Sequence, residues 1–257
     1  MPIERSEAII LKRRELRETS FLVNFYTRDF GRLTGVLKGA RTEPAKFAST
    51  LELFSHNEII FYPRRNSAFH LVSQCDLINS FSPLRLDLRK LGMVSLATEL
   101  VDAVMPVEEK NIEVFDLFLN LLTHLGVSSN PDKILAIFKI KILSLSGFKP
   151  NLDACVLCDA KMSGEMKFSL SLGGLVCPGC TRSKRSVSLR NIFKGTVATI
   201  LHIQKNDFKA NLNLGINPVI KKELDLLLDS FFNFHLEKEL NSQRVLNKID
   251  NFLPLGI

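Results

Sequence analysis

Long apolar segments are missing from this sequence of 257 residues. No run approaches the roughly 20 consecutive apolar residues that a membrane-spanning helix needs. The N-terminus, MPIERSEAIILKRRELRE, has charges on both sides of a very short apolar run. It lacks both the apolar core and the small-residue cleavage site of a signal peptide. We therefore expect a soluble, cytoplasmic protein.

Sequence signatures of common catalytic sites are absent as well. The chain has no G-x-x-x-x-G-K-[ST] phosphate loop and no G-x-S-x-G nucleophile elbow. Its five histidines do not have the H-E-x-x-H spacing of a metalloprotease, nor a similar ligand spacing. They are His56, His70, His124, His202 and His235. No set of base, nucleophile and orienting group emerges, so we expect no enzymatic activity.

Positive charge exceeds negative charge, and the excess lies at the two ends of the chain. The net charge is +7, with 34 Lys and Arg against 27 Asp and Glu. Residues 1–80 hold 12 cations and 9 carboxylates, residues 81–180 hold 10 and 11, and residues 181–257 hold 12 and 7. A basic balance favours a polyanionic partner without establishing one.

The first 80 residues have the pattern of a small β-barrel. Short stretches rich in Ile, Val, Leu, Phe and Tyr alternate with turn-forming stretches such as Arg28–Gly31 and Pro63–Ser67. The expected strands are SEAIILKR, SFLVNFYT, RLTGVLK, NEIIFY and AFHLVSQCDLI. Five strands with little helix between them predict a five-stranded OB-fold over residues 1–80.

Helical periodicity replaces the strand pattern after Pro83. Apolar residues recur at helical spacing over residues 84–104, 113–126 and 131–147, with Gly126 as the expected C′ residue of the second helix. Two further helices are expected near residues 189–203 and 218–240. The fold class is therefore α+β and multidomain, with a helical domain over residues 81–257 and an insertion at 150–182.

Four of the five cysteines lie in this insertion, in the stretch CVLCDAKMSGEMKFSLSLGGLVCPGC. Cys155 and Cys158 form one C-x-x-C pair, and Cys177 and Cys180 form the other. This spacing is typical of a four-cysteine Zn²⁺ site. Pro178-Gly179 suits a tight turn between ligands, and Gly173-Gly174 and Ser163-Gly164 suit the turns of a hairpin with Met166–Leu172 as one strand.

Other readings of the four cysteines are less favoured. Disulfides are disfavoured in a reducing cytosol, a redox dithiol needs one pair rather than two, and an iron–sulfur cluster is a further possibility. Four thiolates leave no open position for catalysis, so a structural metal is expected. The fifth cysteine, Cys75, is expected to be a small buried side chain.

Basic clusters in the barrel are candidates for DNA binding through phosphates. Aromatic residues nearby, Phe47, Phe61, Tyr62 and Phe69, are candidates for base stacking. A cationic cluster on a small barrel is, alternatively, a solvated rim, and strand aromatics often belong to a core. Including the TRSKRS stretch after the last cysteine, the candidate cations are Lys12, Arg13, Arg14, Lys38, Arg41, Lys46, Arg64, Arg65, Arg182, Lys184 and Arg185.

A different role is considered for Lys139 and Lys141. These two lysines alternate with apolar residues on the helix before the cysteines and give it cationic edges. Such a groove could take a short acidic peptide. The alternative is a core helix whose lysines extend their ammonium groups towards solvent.

Three blocks of the sequence resemble RecO, a family of bacterial recombination mediators. SEAIILKRRELRETSFLVNFYTRDFGRLTGVLKGAR resembles the opening of the family, and ATELVDAVMPVEEKNIEVFDLFLNLL resembles its first helical hairpin. SLSGFKPNLDACVLCDA followed by FSLSLGGLVCPGC resembles its zinc segment. The blocks occur in the order that the family has.

The resemblance implies a fold, an activity and partners. RecO proteins have an N-terminal OB-fold and a helical part with a four-cysteine zinc module. They bind single- and double-stranded DNA, anneal complementary strands, and act with RecR to load RecA onto DNA coated by the single-strand-binding protein SSB, whose acidic C-terminal tail they contact. This implies a place in the bacterial cytoplasm, at the nucleoid. Cys155, Cys158, Cys177 and Cys180 match the zinc ligands, and Lys38 and Arg41 match the basic KGAR loop.

The sequence departs from the family after KGAR. Members often continue with several more basic residues and a proline-containing L-x-P-F, whereas this chain reads TEPAKFASTLELF, with Glu43 in the loop and Leu53 where the proline would be. Fewer cations neutralise fewer phosphates, so DNA binding should be weaker and less sensitive to salt.

We therefore expect a DNA-binding recombination mediator. One alternative is a zinc-containing protein–protein adaptor that binds acidic peptide tails and contacts DNA incidentally. A third reading is a zinc-dependent hydrolase, which a site closed by four thiolates disfavours.

Overall fold

The computed structural model describes residues 3–43, 51–64, 67–161, 166–183, 189–237 and 239–252. Five strands near the N-terminus form a closed barrel: β1 (Glu4–Leu16), β2 (Ser20–Thr27), β3 (Gly31–Leu37), β4 (His56–Tyr62) and β5 (His70–Asn79). Their order is β1-β2-β3-β5-β4, and β4 pairs back with β1. Only β3 and β5 run parallel. This order confirms the predicted OB-fold.

Alternating side chains fill the interior of the barrel. On β2, Val23 and Phe25 point inward, and a register shift on β1 between Ile10 and Lys12 keeps Ile10 inside while Lys12 turns outward. Such a bulge re-aims side chains at a bend of the barrel. Cys75 is 1% exposed within this core, as predicted.

Two helices follow the barrel after a short 3-10 turn at Ser82–Arg85: α1 (Leu88–Val104) and α2 (Ile112–Val127). Each begins at a side chain that accepts backbone N–H groups. Asp87 accepts from Arg89 and Lys90, and Asn111 accepts from Val114. These contacts satisfy amides that a helix start leaves unpaired.

The remaining helices are α3 (Pro131–Leu145), α4 (Pro178–Ser183), α5 (Lys194–Lys205), α6 (Phe208–Asn211), α7 (Pro218–Leu236) and α8 (Asn241–Phe252). A second sheet has the order β7-β6-β8, from β6 (Met166–Ser169), β7 (Gly174–Val176) and β8 (Leu189–Ile192). None of the helices in the described ranges combines the length and apolar character that crossing a membrane requires.

Two compact units make up the chain, Met1–Ser128 with Asn241–Ile257, and Ser129–Leu240. The first unit is larger than the expected domain of residues 1–80, because α1 and α2 pack on the outer face of the barrel. Tyr26 stacks on Phe115 at 6.3 Å between ring centroids, and its hydroxyl donates to the carbonyl of Asn111. Burial raises the pKa of Tyr26.

An ion cluster also joins α1 to the outer face of the barrel. Asp102 lies 2.6 Å from both Lys12 Nζ and Arg32 Nη1, and Arg32 also donates to the Asp102 carbonyl. Burial alone would raise the pKa of Asp102, but the hydrogen bonds and charges of the two cations outweigh burial and lower it.

The C-terminal helix α8 also belongs to this unit. The Glu99 carboxylate of α1 accepts the backbone N–H groups of Asn241 and Ser242 at the start of α8, and Arg89 pairs with Asp250 at 2.6 Å. Sequence periodicity did not predict α8. Its single buried apolar residue, Leu246, rests against Gly92, where an added Cβ would lie 3.0 Å from Leu246.

Several predicted boundaries were wrong. Gly126 is not a C′ residue, because α2 continues to Val127 and ends on Ser128. Residues 189–192 form strand β8 rather than the start of a helix, because they pair with β6. The helix from Pro218 ends at Leu236 rather than at residue 240.

We expect Gly31→Ala to destabilise the barrel unit strongly. Gly31 has φ of +64°, and a Cβ there would lie 2.1 Å from the carbonyl oxygen of Glu109. A left-handed alanine costs about 1–2 kcal/mol, and the backbone clash adds about 1–3 kcal/mol. Urea unfolding followed by circular dichroism measures the loss.

The matched control is Gly39→Ala in the same unit. Gly39 has φ of +72°, but the nearest atom to an added Cβ is 3.6 Å away. The Gly39→Ala variant should therefore lose only the conformational part of the stability, about 1–2 kcal/mol in the free energy of unfolding. Equal losses in the two variants would show that the contact with Glu109 is unimportant.

Candidate metal centre and nucleic-acid interface

The four cysteines of the insertion converge on one point. Their sulfur atoms all lie within 4.8 Å of one another, and Sγ of Cys158 and Sγ of Cys177 are 3.7 Å apart. A regular tetrahedron with metal–sulfur bonds of about 2.3 Å has edges of roughly 3.8 Å. The arrangement therefore fits one tetrahedrally bound metal ion.

Two short turns hold the first pair of cysteines. The Cys155 N–H donates to the carbonyl of Ala160, the Asp159 N–H donates to the carbonyl of Cys155, and Asp159 has φ of +54°. Backbone N–H groups, among them that of Cys177 at 3.4 Å, point at the Cys155 sulfur. Although burial opposes ionisation, these donors lower the pKa of Cys155 to about 6.

The second pair follows β7 directly. The Val156 N–H donates to the carbonyl of Leu175, and a bridge joins Asn151 to Gly174, so the two turns lie side by side. Gly174 is needed here, because an added Cβ would lie 2.5 Å from the Asn151 carbonyl oxygen. The predicted turn at Gly173 has φ of +65°, whereas the predicted turn at 163–164 lies outside the described residues.

The closed end of the β1–β2 hairpin carries the main group of exposed cations. We call Arg14, Arg17, Lys38 and Arg41 the basic end of the barrel; each is exposed. The loop after β3 is fastened to the hairpin: the Arg41 N–H donates to the Thr19 carbonyl, and Arg41 Nη1 donates to the Arg17 carbonyl.

The cations of the basic end differ in how firmly they are held. Arg41 also pairs with Glu15 at 3.1 Å. Within the described ranges, the side chains of Arg14, Arg17 and Lys38 have neither an ion pair nor a hydrogen bond. These three side chains are therefore the ones most able to meet a polyanion without first breaking a contact.

Sequence comparison assigns the family. The family description Recombination protein O N terminal matches residues 1–81, and Recombination protein O C terminal matches residues 85–244. The chain belongs to the recombination protein O family.

Relatives of this family match along nearly their whole length. The chain is 28% identical to the DNA repair protein RecO of Syntrophus aciditrophicus over 95% of each chain. It is 30% identical to that of Dehalococcoides mccartyi strain BAV1 over 91% of each chain, and 27% identical to that of Thermoanaerobacter sp. strain X514 over 98% of this chain and 100% of the relative.

The structure separates the cations that the sequence grouped as DNA-binding. Arg64 lies beyond β4, at the end of the barrel where β1 begins, and so opposite the basic end. Lys12 is bound to Asp102, while Arg13 donates to the Leu51 carbonyl and stacks over Phe21 at 5.0 Å. Arg182 is exposed on α4, in the other unit. Lys46, Arg65, Lys184 and Arg185 lie outside the described residues.

The aromatic and lysine candidates are also distributed differently from expectation. Phe61 is 1% exposed and belongs to the barrel core, so it is not a stacking surface, whereas Phe69 is 37% exposed; Phe47 lies outside the described residues.

Lys139 is 4% exposed and lies 2.7 Å from Asp229, and Lys141 Nζ donates to the Gln204 carbonyl at 3.1 Å. The role of these lysines in peptide binding stays a prediction.

One feature that the sequence did not reveal is the covering of strands β2 and β3. OB-folds commonly bind oligonucleotides on this face and on the adjoining loops. Here Tyr26 and Arg32 of that face are occupied by α2 and α1. Nothing in the local sequence signals this, since the partners lie 70 or more residues away.

We expect the cysteine cluster to bind one Co²⁺ with the absorption of a tetrahedral thiolate site. Cys158→Ser should weaken binding by at least tenfold, because one of four thiolates is lost. Cys75→Ala, in the barrel core, should leave the spectrum unchanged. An octahedral cobalt spectrum, or equal loss in both variants, would contradict a metal centre at the four cysteines.

Proposed function

We propose that this protein is a DNA-binding recombination mediator without enzymatic turnover. The observation that carries the proposal is the match of both halves of the recombination protein O family to residues 1–81 and 85–244. The names of the relatives, DNA repair protein RecO, point to the same process. In this role the protein holds and anneals single strands and, with RecR, helps load RecA onto SSB-coated DNA.

DNA binding is assigned to the basic end. Arg14, Arg17 and Lys38 can neutralise phosphates of single- or double-stranded DNA without breaking an internal ion pair. The β2–β3 face is a weaker candidate, because a strand laid across it would have to displace contacts of α1 and α2. Contacts to phosphates leave the bases exposed, which suits annealing of two strands held close together.

Zinc is the metal that suits the cysteine cluster best. Four thiolates in a tetrahedron are typical of structural Zn²⁺, and no ligand position remains for a substrate. The surrounding segment has a three-stranded sheet of only three or four residues per strand. A bound ion would therefore supply much of the free energy that folds it.

Salt-dependent DNA binding tests the placement on the basic end. We expect Lys38→Ala to lower the slope of log K against log salt for single-stranded DNA by about 0.7, because one phosphate contact is lost. At 0.1 M salt this corresponds to about fivefold weaker binding. Fluorescence anisotropy with a labelled oligonucleotide measures both quantities.

The matched control is Lys248→Ala on α8. Lys248 is also exposed and, among described residues, has no side-chain partner, so its loss changes the net charge by the same amount. An unchanged salt slope in Lys38→Ala, or equal effects in both variants, would contradict DNA binding at the basic end.

The SSB tail is assigned to an apolar groove between the start of α5 and α7. Phe193, Val219 and Leu226 are 57%, 61% and 60% exposed there, in a groove of about 450 Å³. Lys222 lines the groove and Lys194 follows Phe193 in the chain; neither is paired within the described ranges. Glu223 also lines the groove, and its carboxylate accepts the Phe193 N–H and the Thr196 hydroxyl. Apolar contacts with adjacent cations suit an acidic tail, and this site requires no change at Lys139 or Lys141.

We expect Leu226→Asp to weaken binding of a labelled SSB tail peptide by at least tenfold, because the variant places a carboxylate in the apolar contact surface. DNA binding should be unchanged. Leu172→Asp, at another exposed leucine in the same unit, is the control. Equal binding by both variants would contradict the placement. Tail binding without DNA binding by the parent protein would favour the adaptor alternative.

A further inference from the structure

The barrel has a second opening, at the end opposite the basic end. A cavity of about 240 Å³ lies where β1 begins and β4 ends. We call it the acidic mouth. It is lined by Glu4, Phe30, Leu33, Phe61, Pro63, His70 and Glu108. All of these residues belong to the barrel unit.

Aromatic rings form the wall of the acidic mouth. Phe61 packs edge-to-face against Phe30 at 5.2 Å and against His70 at 5.6 Å between ring centroids. Phe61 and His70 are almost fully buried, so their positions are fixed by the barrel. Ring faces of this kind attract cations, and the rings also pack against aliphatic chains.

Two carboxylates stand at its rim. His70 accepts the Arg64 N–H at Nδ1, so Nε2 carries the proton and donates to Glu108 Oε1 at 2.9 Å. Glu108 is held in place by this bond, with its side chain 59% exposed. The Glu4 carboxylate has no hydrogen bond or ion pair within the described part of the chain.

The occupant that fits these groups is a cationic side chain. The volume is below the roughly 300–1,000 Å³ of pockets that hold whole small molecules. Among the lining residues that the structure describes, the only charged side chains are the two carboxylates, and the remaining surface is aromatic or aliphatic. Arg64 follows Pro63 and is exposed at the same end of the barrel. We propose that the acidic mouth binds one lysine or arginine side chain presented by a protein partner.

A protein partner is favoured over a nucleic acid. A base entering the mouth would bring its phosphates close to Glu4 and Glu108, where like charges repel. A basic side chain instead gains two ion pairs at the rim and packs its aliphatic stem on Phe30 and Pro63. This interaction is separate from the proposed DNA contact, which lies at the other end of β1.

Titration of the full-length ¹⁵N-labelled chain with N-acetyl-arginine methylamide tests the proposal. We expect saturable shifts of the Arg64 and Glu108 amides and of the His70 ring, with a dissociation constant in the millimolar range. The neutral N-acetyl-glutamine methylamide and deoxyguanosine serve as comparison ligands. Neither should produce saturable shifts at these positions.

Charge removal at the rim provides the second arm. In the double variant Glu4→Gln/Glu108→Gln, glutamine can still accept the His70 hydrogen bond, and arginine affinity should fall at least about fivefold. Glu113→Gln, an exposed carboxylate on α2, is the control and should bind like the parent. The double variant should keep the salt slope of DNA binding. DNA binding and arginine binding are therefore tested separately, and a failure of this proposal can be distinguished from a failure of the proposed function.

Four results would overturn the proposal. One is the absence of saturable shifts at ligand concentrations up to roughly 50 mM, which would mean that the dissociation constant lies far above the millimolar range expected here. Another is an equal response to the glutamine compound, which would indicate an apolar pocket only. Saturation by deoxyguanosine alone would make it a base pocket. Arginine binding that survives the double substitution would place it elsewhere.

Discussion

The ion cluster of Asp102 with Lys12 and Arg32 determines how the rest of the N-terminal unit is used. It joins α1 to the outer face of the barrel, and the stacking of Tyr26 on Phe115 joins α2 to the same face. The lowered pKa of Asp102 means that this carboxylate stays ionised between its two cations. The helices therefore cover strands that many OB-folds leave open to a ligand, and the two ends of the barrel remain exposed.

These two ends differ in charge. One carries Arg14, Arg17, Lys38 and Arg41, and the other has the carboxylates of Glu4 and Glu108 around an aromatic cavity, with Arg64 next to them. With its side face covered, the barrel offers a polyanion the exposed cations at one end, and offers a basic side chain the carboxylates of Glu4 and Glu108 at the other end. Both proposals follow from this separation, and neither requires the helices to move.

Much of the fold follows from local sequence patterns. Short stretches of strand-forming residues between turns predicted all five barrel strands, and the N-caps at Asn111 and Asn130 stand close to where the helical period begins. The cysteine quartet was evident from spacing alone, and the sulfur positions confirm that the four thiols can share one ion. The missed elements lacked such a pattern. Strand β8 is four residues long and is defined by pairing with β6, and α8 buries only Leu246.

The sequence by itself determined most of the element types, the barrel and the cysteine cluster, because each depends on spacing between near neighbours in the chain. Only the tertiary structure decided which cations remain available. Lys12 and Lys139 are predicted ligand-binding residues, and in the structure each has a carboxylate 90 positions away within 2.7 Å. An ion pair depends on the position of the partner in space, and no local pattern records which distant side chain the fold brings close.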